Sequence, residues 1–202
     1  MYEQLFTLVL PLLIFTLTAA STPGPNNMLL SANGAHFGFR ASMPFVFGIR
    51  LGILLLVVLL SLGLGAIFTN YPAAQQVLKV ICIAYMLYLA MKIAFASPVS
   101  KQDKGAQPLS FWHGVVFQFI NPKAWMTSLT CLSAFTLVGE AYFYSVFMVI
   151  FAWSITGFIG SLFWICCGVA MQRLLKTPRH WQVFNITLAL ATLASIAMII
   201  GN

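Results

Sequence analysis

Apolar runs of about 20 residues, each long enough to cross a bilayer as a helix, recur along nearly the whole of this 202-residue chain, separated by short polar stretches. Reading runs against breakers predicts an all-α polytopic membrane protein with six transmembrane helices. The first span covers residues 5–20 and resumes over 28–37 beyond a kink. The second covers 43–68, ended by Thr69-Asn70-Tyr71-Pro72, and the third 77–96. Residues 97–110 are the longest polar stretch and the natural midpoint. The fourth span, 111–138, passes through a second kink, and the fifth and sixth cover 142–170 and 183–200.

The kinks are Ser21-Thr22-Pro23-Gly24-Pro25-Asn26-Asn27 and Gln118-Phe119-Ile120-Asn121-Pro122-Lys123, at matching places in the two halves. A helix broken at membrane depth frees backbone groups that lipid cannot satisfy, so it persists only where it is buried or lines a cavity. Paired breaks mark the substrate site of many transporters. Three spans per half also force the second half to enter the membrane inverted. The chain 1–202 is therefore expected to be a single transmembrane domain of two inverted three-helix repeats, about 1–97 and 104–202, with broken first and fourth helices. A shift of about 99 residues lays Pro23 on Pro122, but residue identity across it is poor. The repeat rests on the span count and the paired breaks.

Composition agrees on the solvent. The chain is 61% hydrophobic and 6% charged, where a soluble domain carries roughly a quarter charged residues. Its net charge of +7 could suggest nucleic acid, but most basic residues are spread over short loops instead of forming one patch. Arg40, then Lys101 and Lys104, then Arg173, Lys176 and Arg179 occupy the odd-numbered loops, while the even loops and termini hold only Glu3 and Glu140. Short basic loops stay cytoplasmic, so both termini are expected on the far side. Lys79 dissents from this pattern and Lys92 agrees with it. The first apolar run has no positive residue before it, so it reads as a retained helix and not as a cleaved signal. All four cysteines sit in apolar runs without disulfide or zinc spacing. No cofactor or metal is expected.

Pro23 and Pro25 lack N–H groups and Gly24 permits unusual backbone angles, so carbonyls are left free at the first break. Asn26 and Asn27 add amides there, and the helix that restarts behind them points its positive end at the break. A carboxylate would suit that end. The competing reading is a kink that serves packing alone. Gly114, Gln118, Asn121, Trp125 and Ser128 make one small or polar face on the fourth span, expected to look into the bundle. Lys123 lies well inside that span, where an unpartnered lysine costs at least a few kcal/mol. It either snorkels, or it binds a substrate carboxylate or changes protonation. Arg50, between Gly48 and Gly52, carries the same two readings, with the snorkelling path towards the cytoplasmic end. Gly48 and Gly52, Gly34 and Gly38, and the face of Ser154, Gly157, Ser161 and Gly168 read as close-packing seams. His36, His113 and His180 read as interfacial.

The acids are Glu3, Asp103 and Glu140, all in termini or loops. That excludes an aspartyl intramembrane protease and removes the usual carboxylate proton relay. With no His-Glu-x-x-His motif and no serine in a nucleophile setting, the chain is not expected to be an enzyme. The candidate substrate-binding set is Pro23, Gly24, Pro25, Asn26, Asn27, Gln118, Asn121, Pro122, Lys123 and Arg50.

At Thr22-Pro23-Gly24-Pro25-Asn26 and Asn121-Pro122-Lys123-Ala124-Trp125 the chain resembles the LysE/RhtB family of bacterial amino-acid exporters. Ala32-Asn33-Gly34-Ala35 with Gly38, the early Gly48 and Gly52, and Phe111-x-x-Gly114 extend the resemblance over almost the whole chain. The resemblance implies an inner-membrane exporter of amino acids or derivatives driven by the proton-motive force. Asn26-Asn27, Gly38-Phe39-Arg40, Ser110-Phe111-Trp112 with Gln118-Phe119 and Asn121, and Thr130, Leu132-Ser133 and Phe135 look most like its cysteine/O-acetylserine subgroup, ahead of homoserine and threonine exporters. The lysine-exporting branch has an aspartate where Ile53 stands, which argues against a basic cargo. The expected partners are a small amino-acid substrate and membrane lipid; a homo-oligomer is compatible with these features. The alternatives are a non-transporting membrane scaffold or assembly factor, and a passive channel.

Overall fold

Proline and glycine placement sets the helix ends. In the computed structural model, which describes residues 2–64, 72–95 and 107–200, α1 (Tyr2–Ser21) stops just before the Thr22-Pro23-Gly24 break, and α2 (Pro25–Leu59) starts on a proline in its first turn. Proline is tolerated there because that N–H has no helical partner anyway. A π-helical turn, Leu60–Leu64, follows α2. Then come α3 (Pro72–Ala94), α4 (Phe111–Ile120), α5 (Pro122–Phe135), a 3₁₀ turn at Gly139–Ala141, α6 (Tyr142–Leu174) and α7 (Pro178–Ile200). The described residues contain no strand. The loop charges Lys101, Asp103 and Lys104, and the side chains of Lys79, Lys92, Cys82 and Arg173, lie outside what is described, as do the end of the second predicted span and most of the midpoint loop.

Among the described residues, three stretches are long and apolar enough to cross a membrane: Glu3–Ser21, Pro25–Gly63 and Gly139–Gln172. The second is not one rod. Gly38 leaves helical geometry at φ 83°, in the left-handed region that only glycine enters freely. Asn33 and Ser42 flank it and would stand about 13.5 Å apart along a straight helix. Instead, Asn33 Nδ2 donates to Ser42 Oγ at 3.0 Å, so the chain folds back here. Asn33 Oδ1 also accepts from the Leu109 N–H at 3.0 Å, which ties the approach to α4 onto this corner. Gly38 is therefore a hinge and not part of a packing seam: a Cβ built on it meets nothing within 4 Å.

The exterior is apolar and the interior holds the polar groups. On α6, Phe143, Phe147, Phe151 and Phe163 are all more than half exposed, while Gln118, Asn121, Ser128, Ser145 and Thr16 are buried. That inversion suits hydrocarbon surroundings, where polar groups seek each other inside. The most extensive packing is α2 against α6, followed by α2 against α4. Glycines permit both contacts. Gly34 lies on the Ile165 carbonyl and Gly168 on that of Ser31, while Gly48 and Gly114 bring the backbones of α2 and α4 together. Gly114, Gln118, Asn121, Trp125 and Ser128 are all buried, as expected of an inward face.

α4 opens with Ser110 and His113 in a reciprocal cap, the serine hydroxyl accepting from His113 N–H at 3.4 Å and His113 Nδ1 accepting from Ser110 N–H at 3.1 Å. His36 packs on the Trp181 ring at 4.6 Å between centroids.

Candidate functional site

The first break spans Thr22, Pro23 and Gly24, and the second is a single residue, Asn121. Both are narrower than the polar stretches that predicted them. Asn27 fastens the first break internally: its Nδ2 donates to the carbonyls of Ala20 at 3.0 Å and Thr22 at 2.7 Å. Asn121 does the same for the second by capping α5, its Oδ1 accepting from Lys123 N–H at 3.1 Å.

Tertiary packing joins the two breaks twice. The side-chain amides of Asn26 and Gln118 exchange two hydrogen bonds, Asn26 Nδ2 to Gln118 Oε1 at 2.8 Å and Gln118 Nε2 to Asn26 Oδ1 at 3.1 Å. Gln118 Nε2 also donates to the Gly114 carbonyl at 2.9 Å. The Lys123 ammonium crosses from α5 to the broken end of α1 and donates to the Thr22 carbonyl at 2.8 Å, Thr22 Oγ1 at 2.9 Å and the Pro23 carbonyl at 3.2 Å. Its stem runs over Gly24, where a Cβ would lie 2.8 Å from Lys123 Cδ. Three acceptors are the full complement of an ammonium group.

Between these links lies a cavity of about 40 Å³ lined in part by Gly24, Asn26, Asn27, Arg50, Asn121 and Lys123. It has room for a few waters. Arg50 enters from α2 with its guanidinium pressed against Gly157 of α6, which has no side chain to obstruct it. Arg50 Nε and Nη1 are sealed from solvent and make no hydrogen bond. Among the described residues, no acid lines the cavity. Two guanidinium nitrogens held this way without acceptors are costly unless an anion arrives.

Most of the sequence-predicted set thus converges on one place, including Arg50, which belongs to neither kink. Pro23 contributes a carbonyl to Lys123. Pro25 and Pro122 are buried at helix starts without lining the cavity. Thr22 was overlooked as a site residue although it lies in the first kink. Trp153, which lines the cavity, was missed because a tryptophan on an apolar helix looks like core. Gly157 and Ser161 also line it, although their spacing signalled only a packing seam.

Replacing Asn26 by alanine or Gln118 by leucine is expected to lower transport, and the double variant to lose little more than either single one. The partners share one reciprocal contact, and such pairs show interaction energies of roughly 0.5–3 kcal/mol. Additive losses in a double-mutant cycle of transport rates would show that the two amides act separately.

Residues 17–200 match the family described as LysE type translocator. The cysteine/O-acetylserine efflux protein of Escherichia coli (strain K12) is 36% identical over 177 residues, covering 87% of this chain and 89% of that protein. The protein of the same description from Shigella flexneri is equally similar, and that of Escherichia coli O1:K1 is 35% identical over the same span. No solved structure matches the chain. With a family match over nearly its whole length and relatives this similar, the chain belongs to the LysE type translocator family of membrane transporters.

Proposed function

We propose that this protein exports small neutral amino acids or their derivatives across the inner membrane, with cysteine and O-acetylserine ahead of homoserine and threonine. The observation that carries this reading is the meeting of two broken helices around one cavity, with Lys123 and the Asn26–Gln118 pair spanning from one break to the other. The similarity to cysteine/O-acetylserine efflux proteins supports the choice of cargo. The substrate site is the cavity bounded by Gly24, Asn26, Asn27, Arg50, Asn121 and Lys123, with Gln118 and Pro23 behind it and Pro25 and Pro122 shaping the breaks. The chain crosses the membrane six times as two inverted three-helix repeats, both termini face the periplasm, and export draws on the proton-motive force. Neither break has an acid near it, Glu3 standing at the far end of α1, so proton coupling falls on Lys123 or on the substrate's own titration.

The test is intracellular accumulation of a panel of amino acids in cells with and without the protein, with and without a proton gradient. Lower cysteine or O-acetylserine in expressing cells only while the gradient stands is the expected result. An unchanged panel would favour a membrane scaffold, and gradient-independent, unsaturable loss would favour a channel. A reporter fused after Asn202 is expected to be active outside the cytoplasm, because basic loops stay in. Cytoplasmic activity would overturn the six-span topology.

A further inference from the structure

A free α-amino acid carries an ammonium group and a carboxylate, and residues in the cavity and beside it suit both. The three oxygens at the broken end of α1, the carbonyls of Thr22 and Pro23 and the Thr22 hydroxyl, converge on a primary ammonium. Those carbonyls have no helical partners because they lie between the end of α1 and the start of α2, although the Thr22 carbonyl also accepts from Asn27 Nδ2. Arg50 lines the cavity that Lys123 also lines, and its Nε and Nη1 are buried with no acceptor. A guanidinium fork matches a carboxylate, since both are planar and paired.

The amide oxygens of Asn26, Gln118 and Asn121 are already engaged, by Gln118, by Asn26 and by the Lys123 N–H respectively. An incoming ammonium needs a convergent set of acceptors. The first break has one, and Lys123 fills it. The lysine also reaches across from the other half, so whatever displaces it unties the broken end of α1 from α5.

We propose, on the reading of this cavity as the exporter's substrate site, that Lys123 occupies the substrate's own ammonium subsite when the protein is empty. A zwitterionic amino acid binds by displacing it, with its ammonium on the Thr22 and Pro23 oxygens and its carboxylate on Arg50. Lys123 is then a built-in competitor for the substrate's positive end and not a ligand for its negative end. Recognition requires a free primary ammonium; N-acylated amino acids, which lack it, are rejected.

Binding to the purified full-length protein, measured calorimetrically under reducing conditions, tests this with four probes: cysteine, cysteamine, cysteine methyl ester and N-acetylcysteine. Cysteine is expected to bind best. Cysteamine and the ester, which keep the ammonium but lack the carboxylate, bind more weakly, and N-acetylcysteine does not bind. In Lys123→Met the competitor is gone, so cysteamine should bind about tenfold more tightly if the lysine holds its site nine-tenths of the time. Weaker cysteamine binding in that variant, or N-acetylcysteine binding as well as cysteine to the unaltered protein, overturns the assignment. Lys123→Gln replaces the methionine variant if the latter does not fold, and the comparison of N-acetylcysteine with cysteine needs no variant. Cysteamine binding without export of any amino acid would uphold the subsite and refute the exporter reading. Export of cysteine with equal binding of N-acetylcysteine would do the reverse.

Discussion

Arg50→Met is expected to abolish export and, at the same time, to raise the melting temperature of the purified protein. The two effects have one cause. Arg50 holds a guanidinium whose Nε and Nη1 are sealed and unpartnered against Gly157. Methionine keeps an unbranched stem of similar reach and removes the charge, and exchanging buried charge for apolar volume is often neutral or stabilising by about 1–4 kcal/mol. A carboxylate meeting an empty subsite loses a desolvated charge pair, which costs about 2–5 kcal/mol and hence on the order of a hundredfold or more in affinity. Arg50→Lys should fall between the two proteins, since it keeps the charge but not the paired donors. Transport in reconstituted vesicles and thermal melting of the same preparation read both quantities. Undiminished export would remove Arg50 from the site, and a lower melting temperature would mean that the guanidinium has a stabilising partner.

The second large effect is structural. Gly48→Ala and Gly114→Ala are each expected to destabilise the fold severely, by about 1–3 kcal/mol or more, as overpacking does. A Cβ on Gly114 would sit 2.5 Å from the Phe45 carbonyl, and one on Gly48 would overlap that of Phe111. Backbone meets backbone in both cases, so no rotamer change relieves the clash and α2 must move off α4. Because Gln118 hangs from α4, the Asn26–Gln118 pair would part as well. Gly24→Ala is the contrast: it meets the flexible stem of Lys123, so folded protein should persist. The yield of monodisperse protein after solubilisation compares the three. Equal yields would show that the α2–α4 contact is looser than its geometry implies.

Much of this was readable along the chain because it depends on local chemistry. Proline cannot donate to a helix, so the breaks at Pro23 and Pro122 were fixed in place whatever surrounds them. The inward face from Gly114 to Ser128 followed from helical spacing, and Gly48 from the small size that lets helices approach. Gly38 was misassigned for the same reason: a small residue in an apolar stretch signals close packing and hinge alike, and only its φ of 83° and the Asn33–Ser42 bond distinguish them.

What the amino-acid order determined by itself was the solvent, the helical class and the two places where helices must break, since each of these is set by residue type and spacing within a few turns. Tertiary structure alone decided what those breaks do. Lys123 and Thr22 stand 101 positions apart and Asn26 and Gln118 92 apart, and Arg50 reaches the same cavity from a helix with no break at that level, past a glycine on α6. Hydrogen-bond partners so distant are chosen by how helices pack, and packing depends on the fit of whole surfaces, which no local pattern encodes.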